Sequence, residues 1–252
     1  MIRAFADHFS GVADTYARFR PEYPPALFEY LASIAPARHL VWDCGAGTGQ
    51  ASRDLARFFE RVVATDASEA QIEAAKPITN VEFCVAPADS SGLEDAAVDL
   101  VTVAQALHWF NLDSFYAEVR RVLVPGGALA VWTYGVVHVD DSACDAILQR
   151  FYYDVVGGYW PPERRHVEDG YRSLPFPYSE LTPPRLEMSA EWSLSDLLGY
   201  ISTWSAISRY IVKRQENPVI ALEQDLGSAW GDSDLARRIA WPLAMRAGRK
   251  AK

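Results

Sequence analysis

The stretch from Val41 to Gln50 reads VWDCGAGTGQ, an acid followed by glycines at 45, 47 and 49. It lies between an apolar run and a segment with helical periodicity. Glycines let a backbone turn tightly and approach a ligand closely. The first turn of the helix beyond offers unpaired amides. Asp66 follows 21 residues after Gly45, at the end of the apolar run Arg61 to Thr65. A carboxylate there can accept both hydroxyls of a ribose. Strand, loop, helix and distant acid together read as a nucleotide-binding unit. The plainer reading, glycines in a turn and an acid at a strand end, does not require all four at this spacing.

Two ligand classes share such a loop. Dinucleotide oxidoreductases bring a pyrophosphate to the helix with G-x-G-x-x-G. Here the spacing is G-x-G-x-G, with Gln50 where the third small residue would fall. Asp43, two residues before the first glycine, is poorly placed beside a pyrophosphate. It suits a ligand with an ammonium group, such as the methionine part of S-adenosylmethionine. A nicotinamide-dependent oxidoreductase and a non-catalytic S-adenosylmethionine-binding protein stay open as alternatives, because a fold does not fix a function.

The elements that must hold this loop alternate. A helix from Ala13 stops at Pro21, and Pro24 and Pro25 open a second with an apolar face of Leu27, Phe28, Leu31 and Ile34. Strands are expected at 39–44, 61–65, 81–85, 98–104 and 128–134. Ser68 is placed to cap one helix, and another runs from about Asp113 to Leu123, ahead of the turn Pro125-Gly126-Gly127. Strands apolar throughout and separated by helices indicate a parallel sheet covered on both faces. The expected fold is α/β and doubly wound, a Rossmann-like, mostly parallel seven-stranded sheet with an insertion cap before the last two strands. Residues 1–252 form one domain: a cofactor-binding core over 1–135, a cap over 136–233, and a final strand and tail over 234–252. The cap begins with a helix from Asp140 to Tyr153 and an irregular stretch from Gly157 to Pro184. A strand over 186–194, a helix capped by Ser195 and a helix from Pro218 to Trp230 follow. The last strand, 235–246, contains Pro242, which suits only an edge or a bulge.

Several segments resemble class I S-adenosylmethionine-dependent methyltransferases. Asp43 to Gly49 resembles their first motif and Asp66-Ala-Ser their second. Ala86-Pro-Ala-Asp89 resembles the segment beside the adenine. Ala104-Gln-Ala-Leu-His-Trp-Phe110 and Arg18-Phe-Arg-Pro-Glu-Tyr-Pro24 resemble segments of the methyltransferase type 11 subgroup that includes trans-aconitate methyltransferase-like proteins. Arg121 to Gly127 matches the turn before the fifth strand. The likeness extends from about Asp7 to Tyr134. It implies that Gly45, Ala46 and Gly47 pass under the methionine moiety with Asp43 near its ammonium, and that Gly49 also belongs to the cofactor site. Asp66 would hold the ribose hydroxyls and Ala67 pack on the adenine. Asp89 or the Ala88 amide would meet the adenine edge. Gln105 and Ala106 would lie beside the sulfonium, and Tyr16 and Arg20 would belong to a flap, with Arg20 near the cofactor carboxylate.

A small-molecule acceptor would then face what the cofactor leaves free. His108 is the catalytic candidate, because histidine titrates near neutral pH, against an equal expectation that it only shapes the pocket. Trp109, Tyr134, Trp160 and Trp204 are candidate substrate walls, since pockets are mostly apolar with a few polar anchors. Arg164 and Arg165 can hold an anion, although a solvated pair is the plainer reading. The expected reaction transfers a methyl group to oxygen or nitrogen of a small organic molecule, a carboxylate among the possible acceptors, and yields S-adenosylhomocysteine. No Cys/His spacing suggests a metal among the three cysteines and five histidines. A net charge of −9 argues against nucleic acid, and Arg246, Arg249, Lys250 and Lys252 read as a solvated chain end. No run approaches the roughly 20 apolar residues of a membrane span. The first residues lack a signal-peptide pattern, so a cytoplasmic location without membrane partners is expected. The oligomeric state is not legible.

Overall fold

The computed structural model describes residues 21–251. Tyr16 and Arg20, and the proposed flap, lie outside the described residues. Helix α1 (Pro25–Ile34) begins with proline in its first turn, and all four residues of its expected apolar face are buried. Then come β1 (Leu40–Cys44), α2 (Gln50–Leu55), β2 (Arg61–Asp66), α3 (Glu69–Glu73), β3 (Val81–Val85), β4 (Val98–Ala104), α4 (Leu112–Val122) and β5 (Leu123–Tyr134). Ser68 caps α3 through its side chain. The expected turn at Pro125 is a bulge inside β5. Between the pairs Val98 with Leu123 and Leu100 with Ala128, β5 carries extra residues, as a proline and two glycines permit.

The second half contains β6 (His138–Val139), α5 (Ser142–Arg150), a π turn (Phe151–Val155), α6 (Arg164–Glu168), β7 (Leu186–Trp192), α7 (Leu194–Ser202), α8 (Ser205–Arg214), α9 (Val219–Trp230) and β8 (Arg237–Arg249). Strands β3, β2, β1, β4 and β5 are parallel, and β8 joins β5 antiparallel. Leu243 of β8 pairs with Tyr134 on one side and Leu186 of β7 on the other. The two-residue β6 pairs with Ala240 and Ile239 beyond the end of the β5 ladder. β5 and β6 therefore share one flank of β8, and eight segments occupy seven ranks. Side chains alternate along β5. Ala128, Ala130 and Trp132 enter one core, with α1, α2, α5 and α7–α9. Leu129 and Val131 enter the other, with α4 and α6.

Three expectations change, and the one for Pro242 holds. The elaboration comes in two pieces, α5–α6 before β7 and α7–α9 between β7 and β8, because β7 returns to the sheet between them. Ser193, not Ser195, caps α7, in a capping box with Asp196. Pro242 is flanked on both sides, yet it falls where the pairing shifts from Tyr134–Leu243 to His138–Ala240, a bulge that needs no N–H there. The basic tail is built in. Arg246 donates to the carbonyls of Tyr171 and Leu174 at 2.8 and 2.6 Å. Arg249 donates to Ile34 O at 3.0 Å, and Lys250 to Arg120 O and Leu123 O at 2.7 and 2.6 Å. They are held because β8 runs on to Arg249.

Candidate functional site

The loop after β1 is tied to the end of β2. Gly45 N–H and Ala46 N–H both donate to Thr65 O, at 2.8 and 3.0 Å. Gly47 N–H donates to Asp66 Oδ2 at 2.9 Å, and Asp66 Oδ1 accepts from Ser68 N–H at 2.9 Å. Gly45, Gly47 and Gly49 all have left-handed backbones, at φ +70°, +57° and +86°, a conformation that side chains resist. A Cβ on Gly45 would lie 2.6 Å from the Ala106 Cβ, and one on Gly49 2.6 Å from the Phe83 ring. A Cβ on Gly47 would meet only Gln71 Oε1, at 3.5 Å. The fold thus closes over Gly45 and Gly49 and leaves the space above Gly47 open.

Asp43 is fully buried. Its Oδ2 accepts the Ser52 hydroxyl at 2.6 Å and its Oδ1 the Thr102 hydroxyl at 2.9 Å. Burial raises its pKa to about 6, against the pull of those two bonds. The acid braces the loop from beneath, between α2 and β4. Asp66 and Asp89 both act on the buried Cys44 thiol, as Asp43 does, and together with burial they push its pKa up. Three predicted acids are therefore gathered at one edge. Ala88 is half-buried, and Ala67 and Asp89 are exposed. The Gln50 side-chain amide donates through Nε2 to Pro21 O at 2.7 Å, pinning the first described residue over the loop.

The ends of β4 and β5 form a second cluster. Gln105 is left-handed at φ +59° and accepts the Thr133 hydroxyl at 2.6 Å. Tyr171, also left-handed at φ +64° and fully buried, bonds the Thr133 side chain and shares a 3.0 Å hydrogen bond with His108 Nδ1. Two non-glycine residues in this region, linked through one threonine, mark a place where packing overrides backbone preference. Burial, then the charges of Arg164 and His166, lower the His108 pKa to about 3. Trp109 packs on His108 at 4.7 Å and is 40% exposed. Tyr134 packs against Tyr23 at 6.4 Å.

Trp160 and Trp204 meet each other at 5.5 Å, and both lie on Tyr152. Trp204 also meets Tyr200, at 5.9 Å. Arg164 is half-buried: α6 folds inward and sets the guanidinium over the Trp160 ring at 4.7 Å. Arg165 is exposed. Sequence reading missed Tyr152, Tyr171 and Thr133, which are buried, and the half-buried Tyr200; they belong to no motif, and only their packing reveals them. Among the described residues no group of His, Cys, Asp and Glu is arranged to hold a metal, and no helix is long and apolar enough to cross a membrane.

Residues 42–131 match the model of a methyltransferase domain family. A "Putative methyltransferase" of Dictyostelium discoideum is 34% identical over 91% of this chain and 89% of its own length. A "Probable S-adenosylmethionine-dependent methyltransferase" of Saccharomyces cerevisiae is 33% identical over 47% of this chain and 44% of its own. Among solved structures, a "Putative Type II Methyltransferase" from Anaeromyxobacter dehalogenans superposes with TM-score 0.88 at 47% identity, covering 92% of this chain and 99% of that one. A glycine cradle opening at Gly47, fastened to an acid at the end of β2, fits the cofactor such enzymes use. The chain belongs to the class I S-adenosylmethionine-dependent methyltransferases.

Proposed function

We propose that this methyltransferase acts on oxygen or nitrogen of a small organic molecule, held at the ends of β4 and β5 beneath the elements of 136–233. The observation that carries the reading is the division of the sheet edge. The loops after β1 and β2 form the glycine cradle with Asp66, and those after β4 and β5 present His108, Trp109 and Tyr134 beside an aromatic cluster. In open α/β sheets ligands lie outside the carboxyl ends of the strands, so two neighbouring sites are supported. When bound, S-adenosylmethionine supplies an already activated methyl group. Gly45 to Gly47 hold the methionine part and Asp66 the ribose hydroxyls, through lone pairs left over from the bonds to Gly47 and Ser68. Gln105 and Ala106 border the methyl donor's side, and Ala67, Ala88 and Asp89 the adenine side.

His108 has one clear consequence. With its pKa near 3 it is neutral at pH 7 and a weak base. An acceptor that arrives with no proton to lose, such as a carboxylate, suits this site better than a phenol. The protein's contribution is then positioning and exclusion of water. Calorimetry with S-adenosylhomocysteine tests the cradle. The wild type binds it, and Asp66→Ala loses about 1.5–3 kcal/mol. Equal affinity in the variant removes Asp66 from the ribose role.

A further inference from the structure

Arg164 is a cation that the fold covers and leaves short of acceptors. Its side chain keeps 21% of its exposure, and its Cζ lies 4.7 Å from the centre of the Trp160 ring and 5.8 Å from that of Tyr152. A guanidinium has five N–H groups. One of them, at Nε, donates to Tyr152 Oη at 2.9 Å. Glu168 approaches only that nitrogen, at 4.0 Å, and is occupied by the Tyr152 hydroxyl at 2.6 Å. The fork of terminal nitrogens has no protein acceptor among the described residues. Beside it, the Trp160 indole N–H is buried and also lacks an acceptor. A buried donor without a partner is costly and rare, and here the Trp160 N–H lies beside a cation whose fork still reaches solvent.

Their position links them to the acceptor end. Helix α6, which carries Arg164, packs against the turn 107–109 that holds His108, and Trp160 reaches Tyr200 through Trp204, at 5.5 and 5.9 Å. We propose that the Arg164 fork and the Trp160 N–H bind a carboxylate of the acceptor, while Tyr152, Trp204 and Tyr200 wall its apolar body. A planar group with two oxygens matches the guanidinium fork. A single cation among aromatic rings fits a monoanion better than a phosphate dianion. This deepens the reading of a small-molecule methyltransferase and rests on it.

The test uses the full chain saturated with S-adenosylhomocysteine, with benzoate and phenylacetate as probes and benzamide and phenylacetamide as neutral matches. Binding is read by calorimetry and by ligand-observed NMR. The acids bind and the amides do not. Arg164→Gln weakens the acids by about 10- to 100-fold, and Arg164→Lys, which keeps the charge and loses the fork, weakens them less. Both variants keep the wild-type affinity for S-adenosylhomocysteine. Should Arg164→Gln fail to fold, Arg164→Lys and Trp160→Phe carry the test, each with a several-fold loss. The proposal is overturned if neither acid binds, if acids and amides bind alike, or if the folded variants bind the acids as the wild type does. Failure of the wild type to bind S-adenosylhomocysteine sinks the methyltransferase reading instead.

Discussion

Gly47→Ala separates the two jobs of the glycine loop. At φ +57° an alanine is strained, by about 1–2 kcal/mol. Its methyl would meet nothing closer than Gln71 Oε1 at 3.5 Å, so no steric cost adds to the strain. For a chain of this size the melting temperature should fall by roughly 2–8 °C. The methyl would project into the open space of the cradle, and affinity for S-adenosylhomocysteine should drop by at least about tenfold, or 1.4 kcal/mol. Gly45→Ala and Gly49→Ala serve as contrasts. Their methyls would come within 2.6 Å of the Ala106 Cβ and the Phe83 ring, so both should lose more stability than Gly47→Ala. Denaturant unfolding gives the stabilities and calorimetry the affinities. If Gly47→Ala loses the expected stability but binds within about twofold of wild type, the loop is only a turn and the cradle assignment fails.

The buried Asp43 has a raised pKa, so between about pH 4 and 6 the folded chain holds a proton the unfolded chain has lost, and stability falls as pH rises. Asp43→Asn should therefore gain on the wild type across that window, by about 3 kcal/mol in all; a difference independent of pH in denaturant titrations refutes this. His108→Ala should reduce turnover by less than the roughly 100-fold expected for loss of a general base, and wild-type kcat/KM should show no His108 ionisation near pH 6–7. A larger loss accompanied by such an ionisation contradicts the pKa argument. Trp204→Ala should cost about 3–5 kcal/mol in denaturant unfolding, because that ring is 8% exposed and packed among Tyr152, Trp160 and Tyr200. A cost under about 1 kcal/mol would mean the aromatic cluster is not a packed wall.

The loop from Asp43 to Gly49, Asp66 and the alternation of apolar runs were legible in the sequence because they are local. Turn chemistry needs glycine where φ is positive, and a strand buried on both faces must be apolar throughout. Those constraints act within a few residues, so the parallel half of the sheet and the glycine loop beside Asp66 could be read from spacing. Arg164 could not. Its neighbours in sequence, Pro162, Glu163 and Arg165, mark a solvated surface; its neighbours in space, Tyr152, Trp160 and Glu168, are brought to it by the π turn and by α6. The partners that hold Asp43 inside the chain were not legible, since the hydroxyl of Thr102 lies 59 residues away in sequence and 2.9 Å away in space. Arg246 looked like part of a tail until β8 paired with β5 and β7 and carried its guanidinium to the carbonyls of Tyr171 and Leu174. Local rules decided the shape of the glycine loop and the place of Asp66 beside it. Long-range packing decided the aromatic cluster around Arg164, because burial and the loss of water partners are properties of the assembled chain.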